Sequence, residues 1–220
     1  MGSMQPHVTP AAWTLVVPLK PLERAKSRLA GAATGTSLPD LALAFAQDTV
    51  SAALACPAVR HVVVVTDDAL AAGELTGLGA RAVPDAPAAG LNAALTHGTR
   101  VVRSRDPSAA VAALNADLPA LRPEELARVL NTAARFPRAF LPDAAEIGTT
   151  LLSALPPAPL SPAFGGPSRS RHRASGAVEL DISEVPGVRQ DVDTPDDLRA
   201  ALALGVGAFT SALLAGPVPG

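Results

Sequence analysis

Apolar residues come along this chain in two rhythms. WTLVVPL at Trp13–Leu19, HVVVVT at His61–Thr66 and AAVAALN at Ala109–Asn115 are short runs almost without polar interruption. Such runs are expected of strands covered on both faces. Between them the spacing turns helical. Ser37, Pro39 and Asp40 supply a cap, a first-turn proline and an acidic first turn before LALAFAQDTVSAAL, and Pro57 stops that helix. Asp68–Leu75 and Gly90–Ser104 read as helices and Gly79–Pro84 as a short strand, while Pro123-Glu124-Glu125 opens another helix. Arg138–Leu141, Leu151–Leu155 and Val188–Val192 read as strands, and Pro195-Asp196-Asp197 starts a helix that reaches Leu204. Strands alternating with helices predict a three-layer α/β/α fold with a mostly parallel central sheet. The proline- and glycine-rich stretch Pro156–Pro167 is too long for an ordinary connection and reads as a functional loop. There is no internal repeat, so one domain over residues 13–215 is expected.

Composition narrows the class of function. A net charge of -2 gives no electrostatic case for nucleic acid or an anionic membrane as partner. The single cysteine, Cys56, excludes an internal disulfide and a cysteine-based zinc site. No apolar run reaches the roughly 18 residues of a membrane span, and the N-terminus lacks a signal-peptide profile, so a cytoplasmic protein is expected. Met1-Gly2-Ser3, ahead of Met4, reads as a cloning scar and is set aside.

The cations change the picture most. Against sixteen arginines the chain has two lysines, Lys20 and Lys26, both in PLKPLERAKSRL just after the first apolar run. In open α/β sheets ligands bind beyond the carboxyl ends of the strands. There this sequence carries no G-x-G-x-x-G but Lys20, Arg24, Lys26 and Arg28, a set suited either to a triphosphate or to a solvated basic turn. Thr66-Asp67-Asp68, LNADLPAL at Leu114–Leu121 and the Asp191 region also follow apparent strands and could share that rim. In QDVDTPDDL, Asp191 and Asp193 fall on one face of an apparent strand end, where like charges repel unless a hard cation such as magnesium sits between them. Alternatively, Asp193 or Thr194 simply caps the Pro195 helix. Thr149 and Thr150 lie beside Gly148. Phe164–Ala177 joins the turn Gly165-Gly166 to Ser168, a pattern suited to a phosphate- or carboxylate-bearing small substrate. His172 reads as a surface histidine on a helix.

Taken together in order, PLKPLERAKSRL, LNADLP, IGTTLL, FGGPSRSRHRASGAVEL and DVDTPDDL resemble the guanylyltransferases of deazaflavin coenzyme F-420 biosynthesis, relatives of the molybdopterin-guanylyltransferase type of nucleotidyltransferase. The resemblance spans about Trp13 to Leu213. It implies a nucleotidyltransferase that moves GMP from GTP to the phosphate of phosphoenolpyruvate, or alternatively of 2-phospho-L-lactate or 3-phosphoglycerate, with pyrophosphate leaving. It implies metal ligands at Asp117, Asp191 and Asp193 for Mg2+, and phosphoenolpyruvate contacts at Thr149, Gly165 and Ser168. The triphosphate contacts fall on Lys20, Lys26 and Arg28, with a nucleotide-pocket asparagine at Asn92; Lys20, Lys26 and Asp117 carry the catalytic roles. A homodimer, and a downstream transferase of the same pathway, are the partners to expect. Two rivals stand beside it: a nucleotide-sugar-dependent glycosyltransferase, because Asp191-Val192-Asp193 mimics a D-x-D metal motif, and a catalytically silent nucleotide-binding module.

Overall fold

The computed structural model describes residues 12–24, 29, 36–86 and 88–216. Among them seven strands form one sheet: β1 (Trp13–Pro18), β2 (Val59–Val65), β3 (Arg81–Val83), β4 (Ala110–Leu114), β5 (Arg138–Pro142), β6 (Thr149–Ala154) and β7 (Val178–Glu179). Their order is β3-β2-β1-β4-β6-β5-β7, and every pairing is parallel except those of β6, which runs against β4 and β5. The mostly parallel sheet is therefore present, with one reversed strand inside it.

The apolar runs are uninterrupted because both faces of the sheet are covered. Trp13, Leu15 and Val17 of β1 point into one core, with Ala46, Val50 and Ala53 of helix α1 (Leu38–Ala55) and Leu126, Val129 and Leu130 of α4 (Pro123–Ala133). Val16 points the other way, onto Ala94, Leu95 and Val102 of α3 (Leu91–Arg105). This makes three layers. The caps agree with the residues that start the helices: Ser37 accepts from the Asp40 amide at α1, and Asp68 from the Ala71 amide at α2 (Ala69–Gly77). From β1 the chain crosses through α1 to β2 on one side, while β4, entered through α3, lies on the other. The order in which the strands are added reverses between β1 and β4, where such folds open a crevice.

The C-terminal third departs from expectation. Val188–Val192 is no strand. Pro186–Arg189 makes a single helical turn (α6), whose Gly187 and Val188 amides donate to Glu125 Oε2 at 2.7 and 3.3 Å. The edge strand is β7, held to helix α5 (Ser168–Ala174) by ion pairs from Arg169 and Arg173 to Glu179. After α7 (Pro195–Leu204) comes α8 (Ala208–Ala215), whose first amides, Phe209 and Thr210, donate to the buried Asp48 carboxylate of α1 at 3.0 and 2.9 Å. Among the described residues no single helix is long and apolar enough to cross a membrane.

Candidate active site

The carboxyl ends of β1, β4 and β5 lie on one rim, and the reversed β6 brings its first residue, Thr149, to the same rim. A cleft of about 330 Å³ opens there, at the small end of the range for small-ligand sites (about 300–1,000 Å³). Its wall gathers Lys20 after β1, Asn115 and Asp117 after β4, Asp143 after β5, Gly148-Thr149, Gly165-Gly166, Ser168, Asp191 and Asp193. Segments from five parts of the chain thus converge on seven of the expected site residues. A larger cavity of about 650 Å³ lies at the opposite ends of the strands, among Arg60, His61, Arg81 and Arg105, but its lining holds one carboxylate, Asp106, and so no pair.

The lysine turn is placed by main-chain bonds. Leu19 N–H donates to Val65 O at 2.9 Å and Leu22 N–H to Asp68 Oδ2 at 2.9 Å, so Lys20 is held over the cleft, exposed. That amide and those of α2 hold the Asp68 carboxyl below its usual range. Thr66, Asp67 and Asp68 follow β2 on the same rim but do not line the cleft, and they serve the backbone: Thr66 Oγ1 accepts from Asp68 N–H, and Asp67 from Asp85 N–H at 2.8 Å. Lys26 and Arg28 lie outside the described residues.

On the opposite wall, Gly165 and Gly166 have φ of +93° and +49°, the left-handed region that makes glycine the fitting residue. The turn leads to Ser168, buried at the start of α5. Asp143 was not anticipated. Its carboxylate accepts from the Ile147 and Gly148 amides at 2.9 and 2.8 Å and lines the cleft, tying the β5–β6 turn into a tight loop. A Cβ on Gly148 would meet Asp143 Oδ2 at 2.4 Å, so only glycine admits that approach. The sequence carries no distinctive signal for it, since the two amides lie four and five residues on, at Ile147 and Gly148, beyond the reach of the usual aspartate turn. Asn92 does not line the cleft. Its side-chain amide brackets Phe164 instead, donating to Phe164 O at 3.1 Å and accepting from Phe164 N–H at 2.8 Å, which anchors the residue ahead of the glycine turn. His172 is not a surface histidine. It is completely buried and bonded at both ring nitrogens, because α5 turns its inner face toward Phe140 and Phe164.

The carboxylates stand on the near wall. Val192 is buried in the core between Asp191 and Asp193, both of which reach the cleft, so the alternation holds although the strand does not. Val192 N–H donates to Asp117 O at 3.1 Å, which ties the two acidic segments together. Thr194, not Asp193, caps α7: its side chain accepts from Asp197 N–H while Asp197 accepts from Thr194 N–H. Among the described residues no three His, Cys, Asp or Glu side chains stand close enough to form a ready-made metal cluster. An all-oxygen set of two or three carboxylates nevertheless fits a hard divalent ion of the magnesium type, which takes one or two protein carboxylates and completes its shell with waters and substrate phosphates. Cys56 is buried, and burial pushes its thiol up, away from reactivity.

Comparison with known proteins identifies the family. The family model described as "Guanylyl transferase CofC like" matches residues 13–215. A phosphoenolpyruvate guanylyltransferase of Streptomyces scabiei is 69% identical over 207 residues, covering 92% of this chain and 96% of that protein. One from Thermomonospora curvata is 57% identical, covering 95% and 91%. Among solved structures, CMP:2-keto-3-deoxy-manno-octonic acid synthetase complexed with CTP superposes with a TM-score of 0.57 at 18% identity, over 88% of this chain and 98% of that one. At that identity the likeness is one of fold.

Proposed function

This chain belongs to the CofC-like guanylyl transferases, and from that premise we infer that it transfers GMP from GTP to the phosphate of phosphoenolpyruvate within coenzyme F-420 biosynthesis. The carrying observation is the convergence, in one cleft at the β1/β4 crevice, of Lys20, a paired-aspartate wall and a glycine–hydroxyl wall. Two anions have to meet there, and each wall suits one of them. Thr149, Ser168 and the Gly165 backbone offer donors for the phosphorylated acid, while Lys20, with Lys26 and Arg28, serves the triphosphate.

The bond changes are few. An oxygen of the acid's phosphate attacks the α-phosphorus of GTP, a P–O bond forms, the bond from the α-phosphorus to the bridging oxygen of the departing group breaks, and pyrophosphate leaves. A phosphate nucleophile is already ionised at neutral pH, so no general base is required. Positioning and neutralisation of charge dominate, as in phosphoryl transfer generally. Asp117, Asp191 and Asp193 would hold magnesium, which supplies charge neutralisation between the two anions when bound. Lys20 faces the departing negative charge, and Asp143 keeps the β5–β6 turn closed beside the acid. Both substrates are metabolites of the cytoplasm, and we place the enzyme there.

Pyrophosphate release from GTP and Mg2+, measured with phosphoenolpyruvate, 2-phospho-L-lactate and 3-phosphoglycerate in turn, tests this. Fastest release with phosphoenolpyruvate, abolished by EDTA, is expected. Release that is the same without any acid would contradict it, as would silence with all three.

A further inference from the structure

His172 lies outside the chemistry described so far, yet it touches or adjoins every element assigned to the acid. Ala163 N–H donates to its Nε2 at 2.9 Å, so that nitrogen is an acceptor and bears no proton. In a neutral ring the proton then sits on Nδ1, which is 2.9 Å from Thr149 Oγ1. Nδ1–H must donate to that oxygen, and the hydroxyl's own hydrogen is turned away from the ring. Thr149 lines the cleft, so the cleft is where that hydrogen can go. The imidazole is completely buried between Phe164, with ring centroids 5.0 Å apart, and Phe140, at 5.7 Å. Burial, helped by the Arg138 and Arg171 charges, lowers its pKa to about 4, which keeps the ring neutral. The same ring sits one helical turn after Ser168.

We infer that His172 is the positioning residue of the acid pocket, fixing the Thr149 hydroxyl as a donor toward an anionic oxygen of the substrate. This rests on the proposed acid specificity of that wall. A freely rotating threonine can turn its hydrogen toward any neighbour; here one lone pair is committed to Nδ1–H, so the hydrogen is kept off the ring and is available to the cleft, and the pocket favours an acceptor. The selection is for phosphate or carboxylate oxygen and does not separate one phosphorylated acid from another.

Two complementary replacements separate positioning from packing. His172→Asn keeps a donor near the Nδ1 position and loses the Nε2 acceptor, while His172→Gln keeps an acceptor near Nε2 and loses the donor. His172→Gln should raise KM for the acid about tenfold, the worth of one hydrogen bond to an anion, with KM for GTP unchanged. His172→Asn should stay within about threefold of wild type. In a Thr149→Val background His172→Gln should cost nothing further. Equal rises for both substrates, or the reverse ranking of the two His172 variants, would overturn the inference. A spectroscopic readout needs neither activity nor a foldable His172 variant. With His7, His61 and His97 replaced by glutamine, the 15N-histidine correlation spectrum reports His172 alone. The expected result is a neutral ring protonated on Nδ1 from pH 8 to pH 5.5; an Nε2–H tautomer or a charged ring at pH 6 would overturn it. If the wild type turns over none of the acids, the functional proposal fails and this spectrum still decides the role of His172.

Discussion

Lys20 and Asp193 are where single atoms matter most. Lys20 is one of two ammonium groups in a chain that otherwise writes its cations as arginine. A compact point charge on a flexible stem can follow a departing pyrophosphate, whereas a planar guanidinium needs fixed partners for its fork. Lys20→Arg should therefore keep the fold and slow single-turnover chemistry by roughly tenfold, or about 1.4 kcal/mol of transition-state stabilisation; wild-type rates would reduce the lysine to an accident of composition. Asp193→Asn should abolish metal-dependent pyrophosphate release while the circular dichroism spectrum is unchanged, because Thr194 and not Asp193 makes the α7 cap. His172 sets a stability signature. It takes up a proton near pH 6.5 when unfolded but only near 4 when folded, so between those values the unfolded chain binds more protons, and stability falls as pH falls. Urea unfolding at pH 5 should show a loss of about 2 kcal/mol relative to pH 7.5 that is missing in His172→Gln. The carboxyls held low by their partners, Asp68 and Glu179, lose their stabilisation as pH falls from their ordinary values of 3.8 and 4.5 toward their lower folded values, and that loss, common to wild type and His172→Gln, cancels in the comparison.

Elements were legible where their signals are local and hidden where their partners are distant in sequence. The α1, α2 and α7 starts could be read from Ser37, Asp68 and Thr194 because each cap sits beside its own helix. α6 and α8 could not, since their first amides are satisfied by Glu125 and by Asp48, more than sixty and one hundred and sixty positions away. Val188 and Val192 were apolar enough for a strand, but both are buried by tertiary packing around turns. β7 is two residues long and polar on one side, and pattern alone does not mark so short an edge. The layers leave their own test. Gly98 of α3 lies where a Cβ would meet Val16 Cγ1 at 2.6 Å and Val65 Cγ2 at 2.7 Å. Gly98→Ala should therefore destabilise the protein by about 1–3 kcal/mol, despite the better helix propensity of alanine, because β1 and β2 have to move. A thermal midpoint equal to or above wild type would mean that α3 can rise off the sheet freely.

For the molecule as a whole, the topology explains why so scattered a set of residues makes one site. The parallel strands end on one rim, the order in which strands are added reverses between β1 and β4, and the reversed strand β6 starts where its neighbours end. Asp117, Asp191, Asp193, Thr149, Gly165 and Ser168 were named from short motifs, and the fold brings all six to one cleft with Lys20. Asp143 was not named and His172 was read as a surface residue, because a turn carboxylate and a core imidazole acquire meaning only from what packs against them. Asn92 was assigned to the nucleotide, yet its amide brackets Phe164, a contact between residues 72 positions apart that no motif displays. The central claim is that the cleft joins two phosphates rather than hydrolysing one. The most direct measurement is a 31P NMR spectrum of the reaction of GTP, phosphoenolpyruvate and Mg2+. We expect two mutually coupled phosphorus signals from an unsymmetrical diphosphate linking GMP to the enolpyruvyl group, growing in step with pyrophosphate. Growth of pyrophosphate with free GMP, and phosphoenolpyruvate left untouched, would contradict the account.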